Sequence, residues 1–215
     1  MLRVLPFIVL LCGCGGGQGI SLMPYEALGQ GPEKFAVCHG FGCSHATDVK
    51  LSEKQWSKVV RPLARKAKNA AAERVNIAKA VALMEKEVQK TADLNPDLAQ
   101  AQTFEKDQHQ MDCLDETINT SRYLGFFADK GFLHYHEAGD PLHRGFFIDG
   151  LWPHNTASVR EKATGAVFAM DSYYSDNGEK VYVVAKGDWL NQWRPEGLRS
   201  RVVPPKPGRK PVRKV

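Results

Sequence analysis

The order of helical and strand segments is the feature that most constrains the fold of this 215-residue chain. Apolar residues at helical spacing, together with capping residues, predict helices over 52–60, 70–91 and 112–130. Short runs of β-branched and aromatic residues then predict strands over 133–137, 145–148, 154–160, 166–171 and 180–184. Helices followed by consecutive strands with short turns are typical of α+β proteins. We therefore expect N-terminal helices packed on an antiparallel sheet.

The N-terminus resembles an export signal that ends in a lipid attachment site. A basic start and an apolar run from Val4 to Leu11 lead into the sequence Leu11-Cys12-Gly13-Cys14. This run is too short to cross a membrane, which takes about 20 residues. Leu-x-Gly-Cys resembles the bacterial lipobox and implies a lipoprotein signal peptide over 1–13 and lipidation of Cys14. An ordinary secretory signal or a buried strand is the alternative.

Lipidation of Cys14 predicts where the protein resides. Residues 14–33 are rich in Gly and Pro and would form a flexible tether between the lipid and the folded domain. We expect a protein of the bacterial cell envelope that faces the periplasm and contacts the membrane through this lipid. The outer membrane is favoured over the inner one, because Gly15 after the anchor is not a recognisable inner-membrane retention signal.

Composition and charge exclude several other classes. Hydrophobic residues make up 43% of the chain and charged residues 25%, which exclude collagen, coiled coils and wholesale disorder. The net charge of +5 is concentrated in 194–215, with eight Lys or Arg and one acidic residue. Residues 1–193 carry a net charge of −2, so no nucleic-acid partner is expected. We expect 194–215 to be a disordered basic tail that can contact the anionic envelope surface.

Export to an oxidising compartment predicts how the cysteines are used. Disulfides form in oxidising compartments, so Cys38 and Cys43 are predicted to close a short loop. A zinc site that also uses His39 and His45, or a redox-active cysteine pair, remains an alternative. Cys113 is then an odd thiol in an exported protein, which requires an explanation. We expect no resident metal or cofactor.

Cys113 stands at the start of the helix predicted over 112–130. Backbone N–H groups in the first turn favour an anion and therefore a thiolate. His154 stands at the start of a predicted strand, and Asp171 stands at the end of the next one. These three residues can serve, in that order, as a nucleophile, a base and a residue that orients the base. The alternative is a core cysteine, a structural histidine and a turn-capping aspartate.

The length of the turn between the two strands decides whether His154 and Asp171 can meet. A four-residue loop over 162–165 pairs Glu161 with Ala166, and Asp171 is then diagonal to His154 on the same face of the sheet. Such diagonal neighbours lie about 7–8 Å apart at the backbone, within reach of their side chains. A three-residue loop would place the two on opposite faces.

A cysteine at a helix start, a histidine at a strand start and an aspartate at the end of the next strand resemble the transglutaminase-like, papain-fold cysteine enzymes. Asp112-Cys113-Leu114-Asp115, followed by Gly131-Phe132, looks like that family's Cys-x-Asp helix, although the family usually has Gly where Asp112 stands. The spacings of 41 and 17 residues are most similar to those of bacterial transglutaminase-like cysteine proteinases. The resemblance implies a single transglutaminase-like domain over 34–193.

The resemblance also implies a chemistry. Cys113 would attack an amide and form a thioester, with His154 as base and then acid and Asp171 orienting its ring. Gln110 and the Cys113 N–H are the candidate oxyanion donors. The expected substrate is a protein or peptide. The alternative function is a non-catalytic periplasmic lipoprotein that uses the same fold to bind a partner or a cell-wall component.

Overall fold

The structure is a computed structural model that describes residues 20–101, 107–146, 150 and 152–198. The predicted signal peptide, Cys14 and residues 199–215 of the predicted tail lie outside this part. Two 3₁₀ helices span Met23–Leu28 and Arg61–Leu63. The α-helices are α1 (Glu53–Val60), α2 (Ala70–Thr91), α3 (Cys113–Asp129) and α4 (Lys186–Leu190). The strands are β1 (Gly29–Gly31), β2 (Lys34–His39), β3 (His45–Val49), β4 (His136–Arg144), β5 (His154–Glu161), β6 (Val167–Asp171) and β7 (Tyr182–Ala185).

The three longer helices begin where capping residues predict. Ser52 and Gln55 form a reciprocal capping box at α1, and the Asn69 side chain accepts from the Ala72 N–H at α2. Asp112 caps α3, which ends one residue before the predicted end. Side-chain capping therefore determines these N-termini, because it provides partners for N–H groups that the helix itself leaves unsatisfied.

The main sheet has four antiparallel strands in the order β4-β5-β6-β7. Ala157 pairs with Met170, and the Glu161 N–H donates to Ala166 across a four-residue loop. The loop length and register predicted for 162–165 are therefore confirmed. The hydrophobic core joins this sheet to α2 and α3 through Ile77, Met84, Leu124, Phe127 and Val159. The prediction of helices packed on an antiparallel sheet is confirmed, and the fold is α+β.

A second, three-stranded sheet in the order β1-β2-β3 was not anticipated. Its hairpin pairs Phe35 with Val49 and His39 with His45, where the sequence predicted only a short loop closed by Cys38 and Cys43. Alternating burial is weak in β2, whose last five residues are all buried, so the period that marks a strand is missing. Gly40, with a positive φ of 78°, begins the turn between the two strands.

The start of β4 was wrongly predicted. It begins at His136 and ends at Arg144, so the strands predicted over 133–137 and 145–148 are misplaced where the structure describes them. The N–H groups of His134, Tyr135 and His136 donate to the carboxylate of Glu73 on α2. This buried carboxylate satisfies the backbone that a longer strand would otherwise pair.

Among the described residues, no helix combines the length and apolar composition that crossing a bilayer requires.

Candidate active site

Cys113 is the first residue of α3, and its thiol is free and partly exposed. Oδ1 of Asp112 accepts from the N–H groups of Leu114 and Asp115, each at 3.0 Å. Oδ2 of Asp115 accepts in return from the Asp112 N–H at 3.1 Å. This reciprocal capping box holds the turn that carries the sulfur.

A disulfide between Cys38 and Cys43 is present, as the sequence predicted. Because the two sulfurs bond each other, they are not available as zinc thiolates. Residues 41–43 all have positive φ, and such runs direct successive N–H groups into one concave site. We call 38–43 the disulfide loop.

The disulfide loop binds the acidic residues that flank Cys113. The Phe41 N–H donates to Oδ2 of Asp115 at 2.9 Å, and the Cys43 N–H donates to its Oδ1. The Gly42 N–H donates to Oδ2 of Asp112 at 3.1 Å. The start of α3 is therefore held from outside by the loop as well as by its own capping box.

His154 and Asp171 meet as the register predicts. Nε2 of His154 lies 2.9 Å from Oδ2 of Asp171, and both side chains are buried. The Cys113 side chain also interacts with His154 and raises the pKa of its ring. Since Nε2 faces the carboxylate, Nδ1 is the nitrogen left for the sulfur. The three predicted catalytic residues are thus in contact in the order sulfur, imidazole, carboxylate.

The charge state of His154 follows from these contacts. Burial lowers the pKa of an imidazole, but here the charge and hydrogen bond of Asp171 and the nearby Cys113 sulfur outweigh burial. Together they raise the pKa of His154 to about 9. The ring is therefore an imidazolium at neutral pH, the state that stabilises a neighbouring thiolate.

Aromatic rings enclose this pair. The His154 ring lies 4.9 Å from the ring of Tyr173 and 5.5 Å from that of Trp189, centroid to centroid. The Trp189 indole N–H donates to Oδ2 of Asp171 at 2.7 Å. Trp189 belongs to α4, and no motif in the sequence linked it to the site.

Sequence reasoning missed Asn155. Its Nδ2 lies 3.9 Å from Sγ of Cys113, and its Oδ1 lies 2.9 Å from Nδ1 of His143. His143 and Asn155 are directly paired residues of β4 and β5. The only signal available was the position of Asn155 next to His154.

Gln110 occupies a different environment from the one expected of an oxyanion donor. Its Nε2 donates to the Pro96 carbonyl at 2.9 Å, and its Oε1 accepts from the Leu98 N–H at 3.0 Å. Gln110 is buried, and its amide connects the segment before α3 to the segment after α2. The proposed catalytic role of Gln110 stays a prediction.

Acidic side chains surround the first turn of α3. Burial and the neighbouring Asp112 raise the pKa of Asp115 to about 7. Burial also raises the pKa of Glu85 to about 7 and holds those of Asp97 and Glu116 well above their usual range. Glu85, Asp97 and Glu116 line one small cavity behind the helix.

Among the described residues, no group of three or more His, Cys, Asp or Glu is arranged to hold a metal ion.

Comparisons of the chain with protein-family models, with curated proteins and with solved structures found no match. The functional assignment therefore depends on the chemistry of the residues themselves. A partly exposed sulfur, an imidazolium and a buried carboxylate in series can perform nucleophilic acyl transfer. The same contacts in a protein without turnover would serve only to hold α3 against the sheet.

Proposed function

We propose that this protein is a cysteine enzyme that acts on amide bonds through a thioester on Cys113. The observation that carries the proposal is the position of His154, which hydrogen-bonds to Asp171 and also interacts with the Cys113 side chain. Partial exposure of Cys113 supports it, because a nucleophile must reach its substrate whereas a core cysteine is enclosed.

Cys113 and His154 supply the nucleophile and the proton transfers that this reaction needs. The Cys113 thiolate attacks the amide carbon, and the carbonyl electron pair moves to oxygen. When the oxyanion collapses, the C–N bond breaks and His154 protonates the departing amine. Water or a second amine then attacks the thioester, His154 takes its proton, and the thiolate leaves. Water gives a peptidase or amidase, whereas an amine gives a transglutaminase-like transfer.

We further propose the fold and setting that the sequence resemblance implies. A nucleophile at the start of α3, with its partners on β5 and β6, supports a papain-like, transglutaminase-like core. The lipobox-like sequence ending at Cys14 supports an envelope-anchored, periplasm-facing lipoprotein. The Cys38–Cys43 disulfide agrees with an oxidising compartment.

The test is the pH dependence of Cys113 alkylation by iodoacetamide in the purified full-length protein. Mass spectrometry of the peptide that contains Cys113 separates it from the other cysteines. An ordinary thiol reacts only as the pH approaches about 8.5, whereas an ion-paired thiolate reacts below pH 7. We expect wild type to behave in the second way, and His154→Gln to react roughly tenfold more slowly at pH 6.

His134→Gln is the matched control, because His134 is an exposed histidine on the segment before β4. It should leave the alkylation profile unchanged. If wild-type Cys113 reacts only near pH 8.5 and His154→Gln does not alter the rate, the proposal is wrong. The non-catalytic lipoprotein would then be the better assignment.

A further inference from the structure

We propose that Asn155 is a catalytic residue whose side-chain amide stabilises the oxyanion, and that His143 positions it. This inference rests on the proposed function, because an oxyanion forms only if Cys113 attacks a carbonyl. It assigns a role to two residues that the sequence resemblance did not identify.

The distance between Asn155 and the sulfur fits an oxyanion donor. Nδ2 of Asn155 lies 3.9 Å from Sγ of Cys113. A reacting atom about 3 Å from both the nucleophile and the donor can sit between such a pair. In the resting protein the Nδ2–H of Asn155 donates a long hydrogen bond to the sulfur, and from the same position it can reach the oxygen bound to the carbon under attack.

Two consecutive residues of β5 bring different chemistry to the sulfur of Cys113. Consecutive residues of a strand project to opposite faces, yet His154 and Asn155 both reach Cys113. Both side chains therefore reach the same sulfur, His154 as the proton carrier and Asn155 as an amide donor. An amide that approaches Cys113 can present its nitrogen to His154 and its carbonyl oxygen to Asn155.

His143 determines which end of the Asn155 amide faces the sulfur. Its Nδ1 lies 2.9 Å from Oδ1 of Asn155, so an Nδ1–H donates to that oxygen. The NH₂ group must then point toward Cys113, which is the orientation that an anion requires. Because His143 and Asn155 are directly paired on β4 and β5, the sheet itself maintains this contact.

A second donor is available at the start of α3. The N–H of Cys113 occupies the first helical position, where N–H groups have no partner within the helix. Oxyanion sites commonly combine a backbone N–H with a side-chain donor. Asn155 thus supplies the side-chain part, whereas the amide of Gln110 is hydrogen-bonded to Pro96 and Leu98.

The experiment compares two reactions of the same sulfur in the full-length protein. Alkylation by iodoacetamide displaces iodide from a CH₂ group and forms no oxyanion. Acylation by p-nitrophenyl acetate forms an oxyanion, transfers the acetyl group to Sγ and releases p-nitrophenolate, which is measured by absorbance. A residue that only stabilises the oxyanion affects the second reaction and spares the first.

Asn155→Leu keeps the approximate shape of the side chain but removes the donor. We expect acylation to slow about 100-fold while alkylation changes less than about threefold. His143→Phe keeps a ring in place and removes the Nδ1–H, so acylation should slow roughly tenfold with alkylation again unchanged. Asn191→Leu, at an exposed asparagine after α4, is the matched control and should alter neither rate.

Two results overturn the inference while leaving the proposed function intact. Unchanged acylation in Asn155→Leu means that its amide does not face the oxyanion, and equal slowing of both reactions means that it maintains the thiolate or the fold. Alkylation of wild-type Cys113 only near pH 8.5, at a rate that His154→Gln does not alter, is a different result, because it removes the proposed function and this inference together.

Discussion

The indole N–H of Trp189 donates a 2.7 Å hydrogen bond to Oδ2 of Asp171, the same oxygen that accepts from His154. Trp189 is fully buried, and the guanidinium of Arg144 lies over its ring at 4.3 Å. A residue of α4 therefore fixes the direction in which the carboxylate faces the imidazole. Asp171 is held by two donors that converge on one oxygen.

Trp189→Phe removes one of these donors and keeps an aromatic ring in the core. A hydrogen bond to a charged group contributes about 1.5–3 kcal/mol, and about 1.4 kcal/mol corresponds to a tenfold change in rate. We expect acylation of Cys113 by p-nitrophenyl acetate to slow about tenfold, since the carboxylate is then free to rotate away from the imidazole. The rate of p-nitrophenolate release checks this expectation.

Trp193→Phe is the control for this substitution. Trp193 packs against the ring of Tyr182 at 5.4 Å, and it is only partly buried. It should leave the acylation rate unchanged. Equal rates in the Trp189 and Trp193 variants would contradict a positioning role for the indole.

The contact between His154 and Asp171 could be predicted from sequence because it depends on local rules. A hairpin loop of four residues determines the register of β5 and β6, and that register places Asp171 diagonal to His154. A cysteine beside a capping aspartate likewise marks the first turn of a helix. These inferences use residues that are close in sequence or joined by one turn.

The contacts that support the pair could not be predicted in this way. Phe41 and Asp115 are 74 positions apart, and no periodicity or spacing relates them. Asn155 and Trp189 carry no motif either, because an asparagine in a strand and a tryptophan in a short helix occur in many structures. Their roles arise only when tertiary packing brings them to the sulfur and the carboxylate.

Asp115→Ala should destabilise the protein and the start of α3. The Asp115 carboxylate accepts from the N–H groups of Phe41, Cys43 and Asp112, and all three would lose their partner. A buried donor left unpaired costs about 1–3 kcal/mol, so we expect the free energy of unfolding to fall by about 3 kcal/mol or more. Urea denaturation at pH 6 measures this change.

The control is Asp129→Ala at the other end of α3, where the side chain is exposed. Substitutions at exposed positions usually change stability by less than about 0.5 kcal/mol. A loss of stability in Asp115→Ala no larger than that of the control would mean that the disulfide loop does not depend on Asp115.

The disulfide loop should also matter for reactivity. The paired substitution Cys38→Ala, Cys43→Ala releases a short loop, which by chain entropy costs about 2 kcal/mol. Since this loop donates N–H groups to Asp112 and Asp115, the turn that carries Cys113 should become less ordered. We expect slower acylation of Cys113 together with a lower unfolding free energy.

Reduction provides an internal check on that pair of substitutions. Dithiothreitol should lower the stability of wild type to the level of the double variant and should not change the variant further. If dithiothreitol does not change the stability of wild type and the double variant is equally stable, the disulfide does not hold the loop.

Glu85 should make stability depend on pH in a defined window. Its pKa is raised by burial from 4.5 to about 7 in the folded protein. A raised pKa contributes stability that is fully present below the unfolded pKa and is lost as the pH rises through the folded one. Ionisation of Glu85 therefore costs up to about 3 kcal/mol between pH 4.5 and pH 8.

Glu85→Gln keeps an oxygen that accepts from the Gly178 N–H and cannot ionise. Its stability should match that of wild type near pH 4.5 and exceed it at pH 8. Glu87→Gln is the matched control, because Lys58 lowers the pKa of Glu87 and its stabilisation is lost as the pH falls. Urea unfolding is measured at both pH values. At pH 8, the unfolding free energy relative to wild type should be higher for Glu85→Gln and lower for Glu87→Gln. A Glu85→Gln curve parallel to wild type would mean that the Glu85 carboxyl is ionised in the folded protein across this range.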